Sequence, residues 1–340
     1  DILYNYLFGE FSMSKILRLA PILLIVFGMV VASLGSATAQ DDQLVFTMVA
    51  HGGAENPFWV VALKGMNDAC ALLDADCVWL NEGDSNDAMG SLWDDALGRP
   101  NDGIGTTAPN PEVIRDPMER AAEAGIPVII YNAQDPNQGT ADALPALFYV
   151  GASEFLGGRS NAQRVVAAAA EAGVEINRAV CPIQEVGHTG LEGRCAGVES
   201  VLNELGIEVD RLTINNDVTG SAGTLGDYFT ANADTNALFL LGPNPASSYA
   251  LYIEEAGIEP GQIFATTHDT GAAIYQMIQD GYLLQAIDQQ QYLQGFETIM
   301  WLYLNSQFAL APGSDILTGP GVIDGNNVDQ VIELTAAGYR

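Results

Sequence analysis

The chain reads as an α/β protein of two doubly wound, Rossmann-like lobes, each a parallel sheet covered by helices on both faces. Three observations lead there. Short apolar runs alternate with stretches of helical period from residue 44 to residue 308. The runs, such as residues 127–131 and 178–183, are too apolar to leave one face in water, which is the mark of strands buried on both sides. The second half repeats the layout of the first, and 340 residues suit about two domains of roughly 100–200 residues each.

The elements follow in order. Residues 44–50 form a first strand ending in His-Gly-Gly. Residues 57–73 carry Val60, Val61, Leu63, Met66, Cys70 and Leu73 at helical spacing, with Asn56 suited to the N-cap and Pro57 to the first turn. Strands at 77–80 and 102–107 come next, then a helix at 111–124 stopped by Gly125, and a strand at 127–131. The second cycle places extended chain at 148–151, a helix at 154–172, a strand at 178–183, and a helix at 189–205 stopped by Gly206. It continues with a strand at 237–241, a helix at 246–256 stopped by Gly257, and a strand at 263–267. A helix at 271–279, a strand at 283–288 and a long helix at 291–308 close the pattern.

Charge narrows the partners. The chain carries 43 Asp+Glu against 12 Lys+Arg, a formal net charge of −31, while 48% of residues are apolar. A disordered acidic tail would have few apolar residues. Nucleic acid and anionic lipid both need a basic surface, so neither is expected as a partner. The excess charge belongs on the outer surface, where it favours solubility.

Residues 1–12 read as an upstream extension before Met13. Lys15 and Arg18, an apolar run over 21–34 and Ala37-Thr38-Ala39 then form a secretory signal peptide, with cleavage expected after Ala39 and a periplasmic destination. The run is short for a membrane span. Export permits disulfides, and the four cysteines fall in two close pairs, Cys70/Cys77 and Cys181/Cys195. Local pairing is the economical expectation; four buried free thiols are the alternative.

No Gly-x-Ser-x-Gly elbow, phosphate-binding loop or dinucleotide fingerprint is present, so no enzyme activity and no cofactor are expected. His51, His188 and His268 share no i, i+4 spacing, and Asp84-Ser85-Asn86-Asp87 lacks the Gly of a calcium loop, with Met89 in its place. No metal is expected. In open α/β sheets ligands sit beyond the carboxyl ends of the strands. The residues there are rich in amides and aromatics, which suits hydroxyls that both donate and accept. Phe58 and Trp59 can offer flat apolar faces to ring C–H groups.

Several strings then follow one another in a telling order: Asn56-Pro57-Phe58-Trp59, Asp102-Gly103-Ile104, Ala124-Gly125-Ile126-Pro127-Val128-Ile129, Glu154-Phe155-Leu156-Gly157-Gly158, Arg194-Cys195-Ala196-Gly197-Val198, and His268-Asp269 with Asp280-Gly281-Tyr282-Leu283 and Gln289. Their order and spacing resemble the type I periplasmic sugar-binding proteins, the ribose-binding group above all, over nearly all of residues 44–335. The resemblance implies two lobes joined by three crossovers, one of residues 41–149 with 290–314, the other of 150–289 with 315–340. It implies a sugar captured between them by hinge closure and delivered to the permease of an ABC transporter. It places His51, Asn56, Phe58, Trp59, His268, Asp269 and Gln289 on ligand positions.

Departures from the family pattern shape the expected ligand. The family's Asp-Arg after the fourth strand is Asn132-Ala133 here. Its second-lobe arginine falls on Glu192, with Arg194 two residues on, and its second-lobe asparagine falls near Gly242, with Asn244 close by. The expected ligand-binding set therefore adds Asn132, His188, Glu192, Arg194 and Asn244. With Glu192 and Asp269 against Arg194 alone, an acidic sugar lacks counter-charge, so a small neutral sugar or cyclitol is expected, bound by a monomer. The alternatives are a sensor that presents its sugar to a chemoreceptor, and a secreted carbohydrate-active enzyme.

Overall fold

A computed structural model describes residues 43–53, 57–81 and 88–340. The expected signal peptide, the loop at 84–87 and Asn56 lie outside the described residues. The first sheet is built from β1 (Val45–Val49), β2 (Asp76–Leu80), β3 (Gly103–Thr106), β4 (Val128–Tyr131), β5 (Tyr149–Ala152) and β11 (Ile316–Gly319), in the order β11-β5-β4-β3-β1-β2 with every pair parallel. The second holds β6 (Arg178–Ile183), β7 (Glu208–Thr213), β8 (Thr235–Phe239), β9 (Phe264–His268), β10 (Ala286–Asp288) and β12 (Gly321–Ile323), in the order β12-β10-β9-β8-β6-β7. Only β12 runs antiparallel there.

Helices α1 (Pro57–Leu73), α2 (Met89–Leu97), α3 (Pro111–Glu123) and α9 (Gln291–Phe308) cover the first sheet. Helices α4 (Glu154–Ala172), α5 (Thr189–Leu202), α6 (Val218–Ala231), α7 (Pro243–Ala256), α8 (Ala272–Gln279) and α10 (Val328–Ala336) cover the second. The chain crosses between sheets after β5, after β10 and after β11. The expected lobe borders thus move: Val150–Ala152 and 316–319, expected in the second lobe, pair in the first sheet. Hydrogen bonding to β4 holds β5 there, and β5 in turn holds β11.

The expected helices at 57–73, 154–172 and 291–308 and the strand at 178–183 occur with those bounds. Gly125, Gly206 and Gly257, expected as helix stops, all take the left-handed φ (74°, 75° and 65°). Both local disulfides form, Cys70–Cys77 tying α1 to β2 and Cys181–Cys195 tying α5 to β6.

The two lobes share one packing device. In the first, a Cβ on Gly65 would lie 2.0 Å from the Tyr292 carbonyl oxygen, and one on Gly295 2.0 Å from that of Ala62. In the second, a Cβ on Gly158 would lie 2.0 Å from the Arg194 carbonyl and one on Gly197 2.1 Å from that of Phe155. Each lobe therefore brings the helix after its first strand (α1 or α5) against a helix that follows a crossover (α9 or α4), backbone on backbone. No side chain larger than hydrogen fits at these contacts. The second pair seats Arg194 at the floor of the space between the lobes.

Candidate functional site

The carboxyl ends of both sheets face a cavity of about 580 Å³. That volume falls in the roughly 300–1,000 Å³ range of small-molecule sites. Its first-lobe wall is aromatic. Trp59 is 4% exposed and packs edge-to-face on His51 (centroids 4.9 Å apart) and Phe58 (4.8 Å), with Trp79 and Tyr131 behind it. The His-Gly-Gly turn after β1 makes this possible, because a Cβ on Gly52 would lie 1.5 Å from the Trp59 Nε1. Trp59 is thus both a core residue and part of the cavity wall.

The second-lobe wall is charged. Arg194 donates through Nε to Glu154 Oε2 (2.5 Å) and through Nη2 to Glu154 Oε1 (3.1 Å), a fork matched to a carboxylate. Its Nη1 donates to the Leu241 carbonyl (2.5 Å) and stands 3.5 Å from Asp269 Oδ2. Burial works against the guanidinium charge, but Glu154 and then Asp269 outweigh it and hold Arg194 above its ordinary value. Burial likewise raises the Asp269 carboxyl to about 6, although Arg194 and the Gln289 amide pull the other way.

A chain of amides links the walls through the crossovers. Gln289 Nε2 donates to Asp269 Oδ1 (2.5 Å), while Asn132 Nδ2 reaches Gln289 Oε1 (3.4 Å) and Gln294 Oε1 (3.1 Å). Asn132 follows the fourth strand of the first lobe and Asp269 the fourth of the second, and both take the left-handed conformation (φ 62° and 70°). Asn and Asp tolerate that region better than other side chains, and such backbone concentrates where a chain must aim a group. At the mouth, His51 and His188 touch across the cavity, one from each lobe, with ring centroids 5.4 Å apart. His51 Nδ1 lies 2.9 Å from Thr107 Oγ1, and His188 caps α5 by accepting from the Gly190 N–H (3.1 Å). Burial, then the facing His188, lowers His51 well below its ordinary value. Burial also lowers His188, against the pull of Glu185.

Of the residues singled out in the sequence, His51, Phe58, Trp59, Asn132, His188, Arg194, Asn244, Asp269 and Gln289 line this one cavity. Two others stand elsewhere. Glu192 turns outward to pair with Arg211 and to accept from the Gly187 N–H (3.1 Å), because the helical turn that aims Arg194 inward carries it away. His268 is 1% exposed and packs beneath the wall beside Asn161 of α4; as the last residue of β9 it faces away from its neighbour Asp269. The carboxylates opposing Arg194 are therefore Glu154 and Asp269, not Glu192 and Asp269.

Glu154, Gln184, Asn216 and Thr270 also line the cavity and were not singled out as ligand residues. Gln184 stands directly after β6, and its Oε1 is buried without a hydrogen-bond partner. Among the described residues no group of three or more His, Cys, Asp or Glu is placed to hold a metal ion.

Residues 46–308 match the model of the periplasmic binding protein domain, and the chain belongs to that family. The xylose/arabinose-binding protein XylF of Sulfolobus acidocaldarius is 30% identical over 284 residues, spanning 80% of this chain and 69% of that protein. A carbohydrate transporter protein from Acidothermus cellulolyticus 11B, solved in complex with myo-inositol, superposes with a TM-score of 0.76 at 26% identity, over 88% of this chain and all of that one. A solute-binding protein from Burkholderia graminis C4D1M in complex with D-arabinose has the same fold, with a TM-score of 0.75 at 19% identity over 85% and 98% of the two chains. The two-lobed α/β architecture is that of the type I periplasmic binding proteins.

Proposed function

We propose that this chain is an extracytoplasmic solute-binding protein that captures a neutral sugar or cyclitol between its lobes and delivers it, as a monomer, to the permease of an ABC transporter. The observation that carries the reading is the composition of the cavity: an aromatic wall formed by Trp59 and Phe58 faces a carboxylate and amides at Asp269, Gln289, Asn132 and Gln184. Aromatic faces suit the C–H surfaces of a sugar ring, and carboxylates and amides suit its hydroxyls. The family match, the likeness to XylF and the myo-inositol complex support the same class of ligand. Binding rather than chemistry is the role we assign to the site.

Titration calorimetry with D-xylose, L-arabinose, D-arabinose, myo-inositol and D-glucuronate tests the reading. At least one neutral compound is expected to bind; selection of the uronate over all of them overturns it. Affinity is also expected to fall as pH drops through about 6, where Asp269 takes up a proton and ceases to be a pure acceptor.

Gln184→Met separates binding from folding. The unpartnered Oε1 costs the unliganded protein on the order of 1–3 kcal/mol. The nearly isosteric Met is therefore expected to raise the unliganded melting temperature, or leave it unchanged, while weakening sugar binding. Loss of stability together with unchanged affinity would contradict both halves.

A further inference from the structure

We propose that Glu154 is a positioning residue of this binding site: it grips two nitrogens of Arg194, fixes the plane of the guanidinium, and so keeps Asp269 Oδ2, the oxygen that Gln289 does not engage, open to a ligand hydroxyl. The inference deepens the reading of the cavity as a sugar site.

The geometry runs from the chain outward. Glu154 opens α4 immediately after the β5 crossover, where Ser153 caps the helix by accepting from the Leu156 N–H (3.4 Å). A carboxylate in the first turn is favoured by the helix dipole, so its place is fixed by backbone as well as by its partner. Its side chain is 11% exposed and that of Arg194 7%. Arg194 is fixed in turn from below, because Gly158 packs against its carbonyl and Cys195 ties the next residue to β6. Of the five guanidinium donors, one on Nε and one on Nη2 go to Glu154 and one on Nη1 goes to the Leu241 carbonyl. From Arg194, Asp269 Oδ2 receives only the longer 3.5 Å approach of Nη1, while its Oδ1 accepts from Gln289 Nε2 (2.5 Å).

The division has a consequence. Asp269 is close enough to Arg194 to be stabilised as an ion but is not covered by it. Without the Glu154 carboxylate, the buried guanidinium has one remaining anion, and the fork would close on Asp269. A carboxylate held by an arginine fork has fewer lone pairs left for a sugar. The other titratable groups around Asp269 are His268, the last residue of β9 before it, Asp288 at the end of β10 before the Gln289 amide, and the His51–His188 pair at the mouth. None of them donates a fork.

Two measurements on Glu154→Gln test this. The first needs no ligand: the Asp269 carboxyl is titrated by carbon NMR in the unliganded protein. In the variant its midpoint is expected to move to lower pH, because Arg194 then serves Asp269 alone; an unmoved or higher midpoint overturns the inference. The second is calorimetry with D-xylose, L-arabinose and myo-inositol at neutral pH, where affinity is expected to fall roughly tenfold or more. Glu154→Asp, which keeps the charge on a shorter arm, is expected to leave the Asp269 midpoint near that of the wild type. Loss of the Glu154 charge alone also lets the Asp269 midpoint fall, so a lowered midpoint with unchanged affinity would mean that Glu154 acts by charge only and would overturn the positioning role. If the wild type binds none of the three compounds, the sugar reading fails, while an unmoved or raised Asp269 midpoint would still overturn the role of Glu154.

Discussion

Arg194→Leu is expected to lower the free energy of unfolding by about 3–5 kcal/mol, the usual cost of removing one partner from a buried ion cluster. The substitution leaves the carboxylates of Glu154 and Asp269, only 11% and 8% exposed, with no cation between them. It also strands the Leu241 carbonyl, which accepts from the same side chain. Sugar binding is expected to be lost with it, because Asp269 is then too costly to ionise. The pH dependence follows from the raised Asp269 carboxyl. An acid whose folded pKa lies above its unfolded value costs stability that is complete above the folded pKa and fades as pH falls toward the ordinary 3.8. Removing Arg194 pushes Asp269 further up, so the deficit of the variant is expected to be larger at pH 8 than at pH 5. Urea unfolding at the two pH values checks the sign. The triple variant Arg194→Leu, Glu154→Leu, Asp269→Leu, which replaces the whole cluster with apolar groups, is expected to recover much of the stability but none of the binding. A triple variant no more stable than Arg194→Leu would show that packing around α4 and α5, rather than charge, sets the cost.

The sequence exposed this site unevenly, and the reasons are geometric. Strand ends in an apolar α/β chain can be located to within a residue or two, and the side chains just beyond them face the ligand side of the sheet. That rule together with the family resemblance reached Asn132, Asp269 and Gln289. It missed Gln184, although Gln184 stands directly after the strand at 178–183. Glu154 was visible within Glu154-Phe155-Leu156-Gly157-Gly158, but one sequence cannot show that a first-turn carboxylate meets an arginine 40 residues on. Glu192 was misplaced because two residues along a helix turn the side chain through more than half a revolution. Helix α2 is absent from the expected elements although Met89, Leu92, Trp93 and Ala96 give it an open apolar period. Others have weak patterns: β7 is an edge strand bearing Glu208, Asp210 and Arg211, and α6 is rich in Gly and Thr, so neither shows a clean apolar period. Their places are set by neighbours: β7 by its parallel pairing to β6, and α6 by Leu225 and Phe229 packed in the second-lobe core.

Trp59→Ala is expected to cost a further large sum, about 3–5 kcal/mol in stability, the range for truncating a buried aromatic. Trp59 touches His51 and Phe58 edge-to-face and approaches Trp79 and Tyr131 at 6.0 and 6.3 Å, so its removal leaves four rings without a common partner. The void cannot refill from Gly52, which has no side chain, and the backbone after β1 is held by the His51 N–H to Thr107 Oγ1 (3.3 Å). The cavity wall therefore collapses inward or stays empty, and either outcome removes the flat face that a sugar ring would use. Because the same indole serves the core and the wall, Ala cannot tell the two roles apart. Trp59→Phe can: it keeps an aromatic ring in the core but shortens the face turned to the cavity. Trp59→Phe is expected to retain most of the stability in urea unfolding and to lose more than half of the sugar affinity in calorimetry. A Phe variant that binds as the wild type does would confine Trp59 to the core and shift the aromatic contact to Phe58.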